Sequence, residues 1–508
     1  MRAKFHNNIC VVICTAMVFA AMFVFFTFIS PSVPYDADDW NYLSSFSLTP
    51  IPIPPYRTWN PTRIFPEHMM PAAGFFSAFV ICPLTGDYIL SISITTALLL
   101  SSFLALFYLS LYRLFITLNN DKTGCALTGL LVIALCFALF KRKPAGNLHL
   151  FIVYSLNLHY FYTLPNLLNS IAVCELMRLF VKSDLSLQNN PRKAHLIIAL
   201  LYFCIFSILF SVIVLLAFAV SILLLKFAGS VLQRKEKFPS LLKSFCLDSI
   251  RHNNIVIISI IGILFAIFAE SRGGRANWDS GSTWLGSVFS IEFAARMYTA
   301  TRNLLKFAQA MNSLVFALMV LILCAAAGVY IFFRKRYAAS PFISVVPVSA
   351  LSCAIAFLCV VMVSAKGGTQ YANDVRSAYS IFFFWILFVS LAALYLHKKI
   401  PLVRMLFPLM TVLVVMIAVN TRWPYAYPYS RTHIQTVLIE GYIKEIVDAD
   451  LNNESEVVLH VPKYNEDGNW PIPVSWWGDA LSSTLYRHHI ISKIMEVKIV
   501  PDENLPTP

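Results

Sequence analysis

Long apolar runs broken by short polar stretches dominate this chain. A membrane-spanning helix needs about 20 mostly apolar residues, and a charge at its centre costs roughly 2.5–3.5 kcal/mol, so charges mark the ends of runs. The first run, Ile9–Ile29, follows a short basic N-terminus and is not followed by a small-x-small cleavage site. It reads as an uncleaved signal anchor with its N-terminus in the cytoplasm. A long polar stretch, Ser30–Met69, then lies outside, and Pro71–Pro83 is apolar but too short to span, which predicts an interfacial helix.

Further spans are predicted at Tyr88–Leu111, Cys125–Phe140 and Tyr160–Val181. Ala194–Leu225 is too long for one ordinary span and is either a tight hairpin or one long tilted helix. A basic cytoplasmic loop follows, with Arg234, Lys235, Lys237, Lys243 and Arg251. Ile255–Phe268 exits to a second outside loop, 269–311, and Asn312–Phe333, Pro341–Val363, Tyr379–Leu396 and Leu402–Val419 complete the set. With the hairpin this makes about eleven spans. Lys141-Arg142-Lys143 falls on the outside, against the excess of positive charge expected in cytoplasmic loops. Either Cys125–Phe140 is not a simple span, or the cluster has work that outweighs its topological cost.

Composition changes sharply after Val419. Thr432–Leu451 places apolar residues at helical spacing, while Glu456–Val461 and Met495–Val500 alternate like strands. The expected architecture is therefore an all-α polytopic membrane bundle over residues 1–419, with a small C-terminal α+β domain over 420–508. The composition fits: 58% of the 508 residues are hydrophobic and only 13% charged. The formal charge of +13 is scattered between apolar runs, as in loops flanking membrane helices, and does not form a nucleic-acid surface. Most of the eleven cysteines sit inside apolar runs as small hydrophobes, which excludes a disulfide framework, and no Cys/His spacing suggests zinc.

Candidate chemistry concentrates in the first outside loop, which opens Tyr35-Asp36-Ala37-Asp38-Asp39-Trp40-Asn41-Tyr42. Crowded carboxylates raise one another's pKa, and a nearby low dielectric raises it further, so one can act as a general base near neutral pH. A solvated acidic turn capping a helix, with Asp36 or Asp38 as N-cap, accounts for the same residues. The later part of the loop carries Arg57, Trp59 and Arg63, then Glu67 and His68. Arginine grips phosphate through a planar fork, so two arginines and a tryptophan beside acids look like a sugar-phosphate site. Ordinary pairing of Arg57 and Arg63 with Asp38 or Asp39 is the alternative.

Arg272 and Arg275 flank Gly273-Gly274, and Lys366 and Arg376 flank Gly367-Gly368 and Asp374, all on the predicted outside. Such basic turns can hold an anionic group, or can be plain loop charges. Asn157, His159 and Asn166 read as satisfied helix polar residues. Trp470, Trp476, Trp477, Asp479, His488 and His489 could form a carbohydrate platform, membrane-edge anchors or domain core. Phosphate-binding loops, dinucleotide fingerprints and zinc-protease motifs are all missing from the sequence.

A first membrane helix, an outside loop carrying Asp38-Asp39-x-x-Tyr42, many spans and a polar outside tail together resemble the GT-C glycosyltransferases. More closely, the chain resembles the serotype-converting O-antigen glucosyltransferases of enteric bacteria and their phages. The aminoarabinose and protein-mannosyl branches of that fold carry an Asp-Glu pair, where this chain has Asp39 as the second acid. The resemblance implies a polyprenyl-phosphate-linked hexose donor at the periplasmic face of a bacterial inner membrane, and lipopolysaccharide O-antigen as acceptor. It further implies Asp38 as general base, with Asp39 or Asp36 positioning it. Arg57, Arg63, Arg272, Arg275, Arg376 or Lys366 would hold the leaving phosphate, and Trp40, Trp59, Glu67 and His68 would contact sugar. No nucleotide or obligatory metal follows from it, a divalent cation stays open, and a donor synthase and a flippase are implied as partners. A flippase or transporter of a lipid-linked sugar, and an O-antigen polymerase or ligase, are the rival readings.

Overall fold

The computed structural model describes residues 2–46, 63–140, 149–151, 155–189, 191–233, 238–272, 290–333, 341–420, 429–462 and 476–505. Among them, nine helices are long and apolar enough to cross a membrane, or ten if the bent pair Lys243–His252 and Asn254–Glu270 is one span. The chain is a multi-pass membrane bundle of helices, with a small sheet in its tail. Helices suit this setting because each satisfies its own backbone N–H and C=O groups where lipid offers no partner.

In chain order the membrane part comprises α1 (Arg2–Val24), α2 (Ala37–Ser44), α3 (Ile64–Phe76), α4 (Tyr88–Leu118), α5 (Lys122–Ala138) and α6 (Leu164–Val181). It continues with α7 (Pro191–Ile205), α8 (Leu209–Gln233), α9 (Phe238–His252), α10 (Asn254–Arg272) and α11 (Ile291–Ala310). Helices α12 (Ser313–Phe333), α13 (Phe342–Gly367), α14 (Tyr379–Lys399) and α15 (Pro401–Asn420) complete it.

Two expectations change, and of two alternatives left open one is favoured. The interfacial helix expected at Pro71–Pro83 is the later part of an apolar run of 22 residues, Ile64–Thr85, with the length of a span. Glu67 and His68, which mark a polar break in the sequence, sit in its first turns. There Glu67 faces Arg63 at 3.8 Å and the His68 Nδ1 donates to the Ile64 carbonyl at 2.7 Å. The open case, Ala194–Leu225, is split at 206–208 into α7 and α8. The Leu187 N–H, just ahead of α7, bonds Asn254, and Lys226 near the end of α8 bonds Asn253, so both outer ends meet one neighbour. That is the hairpin alternative, although its first arm, α7, at 15 residues falls short of a full span. The other change is that the outside loop 269–311 contains a twenty-residue helix, α11.

The cluster Lys141–Lys143 lies outside the described residues. The helix before it, α5, has 17 residues and falls short of a full span. It ends against backbone, with the Leu150 N–H donating to Cys136 O and the Asn312 N–H to Leu139 O.

The tail forms α16 (Tyr429–Leu451), β1 (Glu456–Pro462), α17 (Trp476–Arg487) and β2 (Glu496–Asp502). The strands pair in parallel from Glu456↔Glu496 to Pro462↔Asp502, which requires a crossover connection, and α17 lies within it. Gly478 lets that helix approach the sheet, since a Cβ there would stand 2.4 Å from the Val497 carbonyl oxygen. This helix does not show in the sequence pattern.

Tail and bundle are sewn together at α2. The Trp477 indole donates to Tyr35 O at 2.9 Å, the Thr484 hydroxyl to Trp40 O at 2.6 Å, and Arg487 to Ser44 O at 3.2 Å. His488 is hydrogen-bonded to the Tyr88 hydroxyl at 2.6 Å, which ties the tail to the start of α4. On its other side α2 rests on α3 so closely that a Cβ on Gly74 would lie 2.1 Å from the Leu43 carbonyl oxygen.

Candidate functional site

The site is built on α2. Asp36 caps the helix by accepting the Asp39 N–H at 2.8 Å, and Asp39 returns the bond to the Asp36 N–H at 3.4 Å, a reciprocal capping box. Asp39 also accepts from the N–H groups of Tyr35 at 3.0 Å, Leu156 at 3.3 Å and Asn157 at 2.6 Å. It is completely buried. Burial first, then the Asp36 carboxyl, pushes Asp39 well above the ordinary carboxylate range, against the pull of its backbone donors. Asp39 is therefore a rivet between the first loop and the segment that starts at Leu156, with no face open to a substrate. Burial lifts Asp36 to about 6, opposed chiefly by the bond from Asp39.

Asp38 differs from both neighbours. It points off the same helix into an exposed position, and among the described residues no hydrogen bond or ion pair claims its carboxylate. Partial burial raises its pKa, and Arg63 lowers it. One turn further along α2, Tyr42 accepts a hydrogen bond from Arg63 at 3.0 Å and packs on Phe161 with ring centroids 4.8 Å apart. Arg63 itself lies 5.2 Å over the Phe161 ring.

Phe161 belongs to a π-helical turn, His159–Thr163, and its neighbour Tyr162 meets the second arginine. The Arg376 guanidinium lies 5.3 Å over Tyr162 and forks onto Asp374, with its Nε 2.9 Å from both carboxylate oxygens. Asn166 fixes this turn by donating to Arg376 O at 3.2 Å. The Tyr162 hydroxyl is within electrostatic reach of both guanidiniums. Two arginines from distant parts of the chain are thus set on adjacent aromatic residues, with Asp38 and Tyr42 beside the first.

Several expected members do not join this group. Trp40 is fully buried beneath α17, so its indole face cannot stack on a sugar. Trp477 and His488 are likewise buried and belong to the seam between tail and bundle, while Trp476 is 44% exposed. Glu67 and His68 sit in α3, turned to Arg63 and to the Ile64 carbonyl. Lys366 lies in the last turn of α13, half-buried. Arg272 ends α10, and Arg57, Trp59, Arg275 and Trp470 lie outside the described residues. Of the partners of Arg376, Asp374 was named in the sequence beside it and Tyr162 was missed. No sequence signal links Tyr162 to an arginine so far along the chain.

Among the described residues no group of three His, Cys, Asp or Glu side chains is placed to hold a metal ion. A cavity of about 540 Å³ lies between α12, α13 and α14, lined by Leu323, Tyr330, Phe342, Pro347 and Tyr395 among others. Its wall at Phe342 is 5.5 Å from the Lys398 ammonium, at the end of α14 opposite to Asp374 and Arg376, so this apolar space does not adjoin Asp38. Comparisons with protein-family models, with curated proteins and with solved structures return no match to this chain.

Proposed function

We propose that this protein is a membrane glycosyltransferase that moves a hexose, glucose by resemblance, from a polyprenyl-phosphate donor to a hydroxyl of the lipopolysaccharide O-antigen. The observation that carries the reading is the sorting of the three clustered acids. Two are consumed in holding α2, and the third, Asp38, is left exposed beside Arg63 and Tyr42, with Arg376 next along the aromatic turn.

Asp38 accepts the proton of the acceptor hydroxyl as its oxygen attacks the anomeric carbon. The bond from that carbon to the phosphate oxygen breaks, and the lipid phosphate leaves with the electron pair. Arg63 and Arg376 stabilise the charge that grows on the phosphate, and their seats on Phe161 and Tyr162 keep them placed without reorganisation. The donor's prenyl chain stays in lipid, so the phosphate has to be met where helices leave the membrane, and that is where these residues stand.

The reading places this end of the bundle in the periplasm. Arg113, Lys182, Lys226, Arg251 and Lys398 gather toward the other end, as the positive-inside rule asks of a cytoplasmic face. A donor synthase and a flippase would then act before this protein.

The test is O-antigen composition and mass in cells carrying wild type or Asp38→Asn at equal membrane abundance. One added hexose per repeat with wild type and none with the variant supports both the activity and the base. Hexose with both removes Asp38 from the chemistry. No added hexose with wild type, lipid-linked donor being present, ends the transferase reading and favours the flippase.

A further inference from the structure

Helix α11 has two apolar faces where a water-exposed helix would have one. Its inner face buries Phe293, Ala300, Leu304 and Phe307, and Phe307 packs on Phe140 and Phe382. Its outer face repeats every seventh residue, with Ile291 at 92%, Tyr298 at 72% and Leu305 at 60% exposure. Seven residues are close to two helical turns, so the three side chains form one stripe. Arg302 and Lys306, both exposed, lie along one side of that stripe, and Lys306 also donates to the Asn303 side-chain oxygen at 2.9 Å.

The helix lies across the end of the bundle and does not run through it. Its C-terminus abuts the end of α5, where Phe140 and Met311 form a bridge. Midway, the Asn303 amide donates to Thr369 O at 2.9 Å, in the 3-10 turn just past α13. Both fixings are at the level where membrane helices end.

We propose that α11 is a membrane-surface helix whose Ile291–Tyr298–Leu305 stripe enters the lipid while Arg302 and Lys306 contact anionic phospholipid headgroups. An apolar stripe bordered by cations fits the boundary between acyl chains and charged headgroups, and fits neither bulk water nor the acyl interior. The same helix holds the turn 369–373 through Asn303, and that turn leads into Asp374 and Arg376. Seating α11 in the headgroup layer therefore sets the height of the second arginine above the membrane. The placement follows from geometry and charge and does not require the transferase reading.

The test uses the full chain in nanodiscs containing a phosphatidylethanolamine and phosphatidylglycerol mixture. A photo-crosslinking phenylalanine analogue replaces Tyr298, and a second variant carries it at the exposed tail residue Asn452 as a water-side control. The expected result is lipid adducts at 298 and none at 452, with phosphatidylglycerol over-represented relative to its share of the mixture. Arg302→Glu with Lys306→Glu should cut that over-representation by about fivefold or more, from the usual attraction of a basic residue for an anionic surface. Adducts in proportion to lipid composition, unchanged by the double variant, overturn the headgroup contact. Adducts to a second copy of the chain, or none at 298 while a lipid-facing position such as Leu413 reacts, overturn the surface placement altogether.

Discussion

Each end of the bundle sets a carboxylate near arginines, and the two arrangements differ in what is left over. At the end away from α2, Glu175 gives one oxygen to Arg113 at 3.1 Å and the other to Arg178 at 2.8 Å. Each oxygen faces a guanidinium, the first as an ion pair and the second through a hydrogen bond, and the group ties α4 to α6. At the other end Arg63 spends itself on Tyr42, Phe161 and distantly Glu67, and among the described residues no hydrogen bond or ion pair claims the nearby Asp38 carboxylate. A carboxylate ion-paired on both sides is a brace, and one held near a cation without contact can still take a proton. The contrast shows why counting acids and bases in a motif does not separate a braced carboxylate from an open one.

Changes at single residues would break or sharpen that contrast, and the largest effect comes first. Asp38→Asn should lower transfer at least about a hundredfold, the usual scale for losing a general base, with membrane abundance and melting temperature unchanged. Glu175→Gln should do the reverse, costing about 1–3 kcal/mol of stability by leaving two arginines under-paired while turnover per folded molecule is kept. Similar behaviour of the two variants would erase the distinction.

Arg63→Gln should slow transfer about tenfold or more and also move the acid limb of the rate profile to higher pH. The sign follows from Arg63 lowering the Asp38 pKa, so that without it the carboxyl keeps its proton longer. A rate loss with an unmoved limb would mean that Arg63 serves only the leaving group.

The seam is the next smaller effect. Burial pushes His488 down to about 4, below the ordinary value near 6.5, so the folded state binds fewer protons than the unfolded one between those values. Stability from this group is complete above about pH 6.5 and is lost as pH falls toward about 4. Asp36, raised to about 6, works in the opposite sense, since its burial is easiest when protonated. Thermal melts across this range should show a loss on acidification that His488→Gln flattens. Last, Thr484→Val removes its bonds to Trp40 O and Ser44 and should cost about 1 kcal/mol, read as faster amide exchange over residues 37–44.

The apolar runs made the bundle legible, because solvent arithmetic acts on each run separately. Where a polar residue is satisfied inside a helix end, as with Glu67 and His68, the same arithmetic cut the run too early. The hairpin at 206–208 was open in the sequence because its proof lies in Asn253 and Asn254, far along the chain from the helix ends they hold. The acidic motif was visible, including the capping alternative, and both readings hold for different members of it. What separated them is the N–H of Asn157, 118 residues from Asp39 in sequence. Burial of Trp40 was equally hidden, since the helix that covers it begins only at Trp476.

The seam between tail and bundle has a consequence for divergence. Trp477, Thr484 and Arg487 take hold of peptide oxygens of Tyr35, Trp40 and Ser44, and a peptide oxygen is the same whatever side chain it carries. The exposed positions Asp38 and Asn41 are thereby released from the duty of docking, whereas Ser45 still meets Arg487 through its hydroxyl. A substitution at Asn41 can therefore alter the surface beside Asp38 while the tail goes on gripping an unaltered backbone.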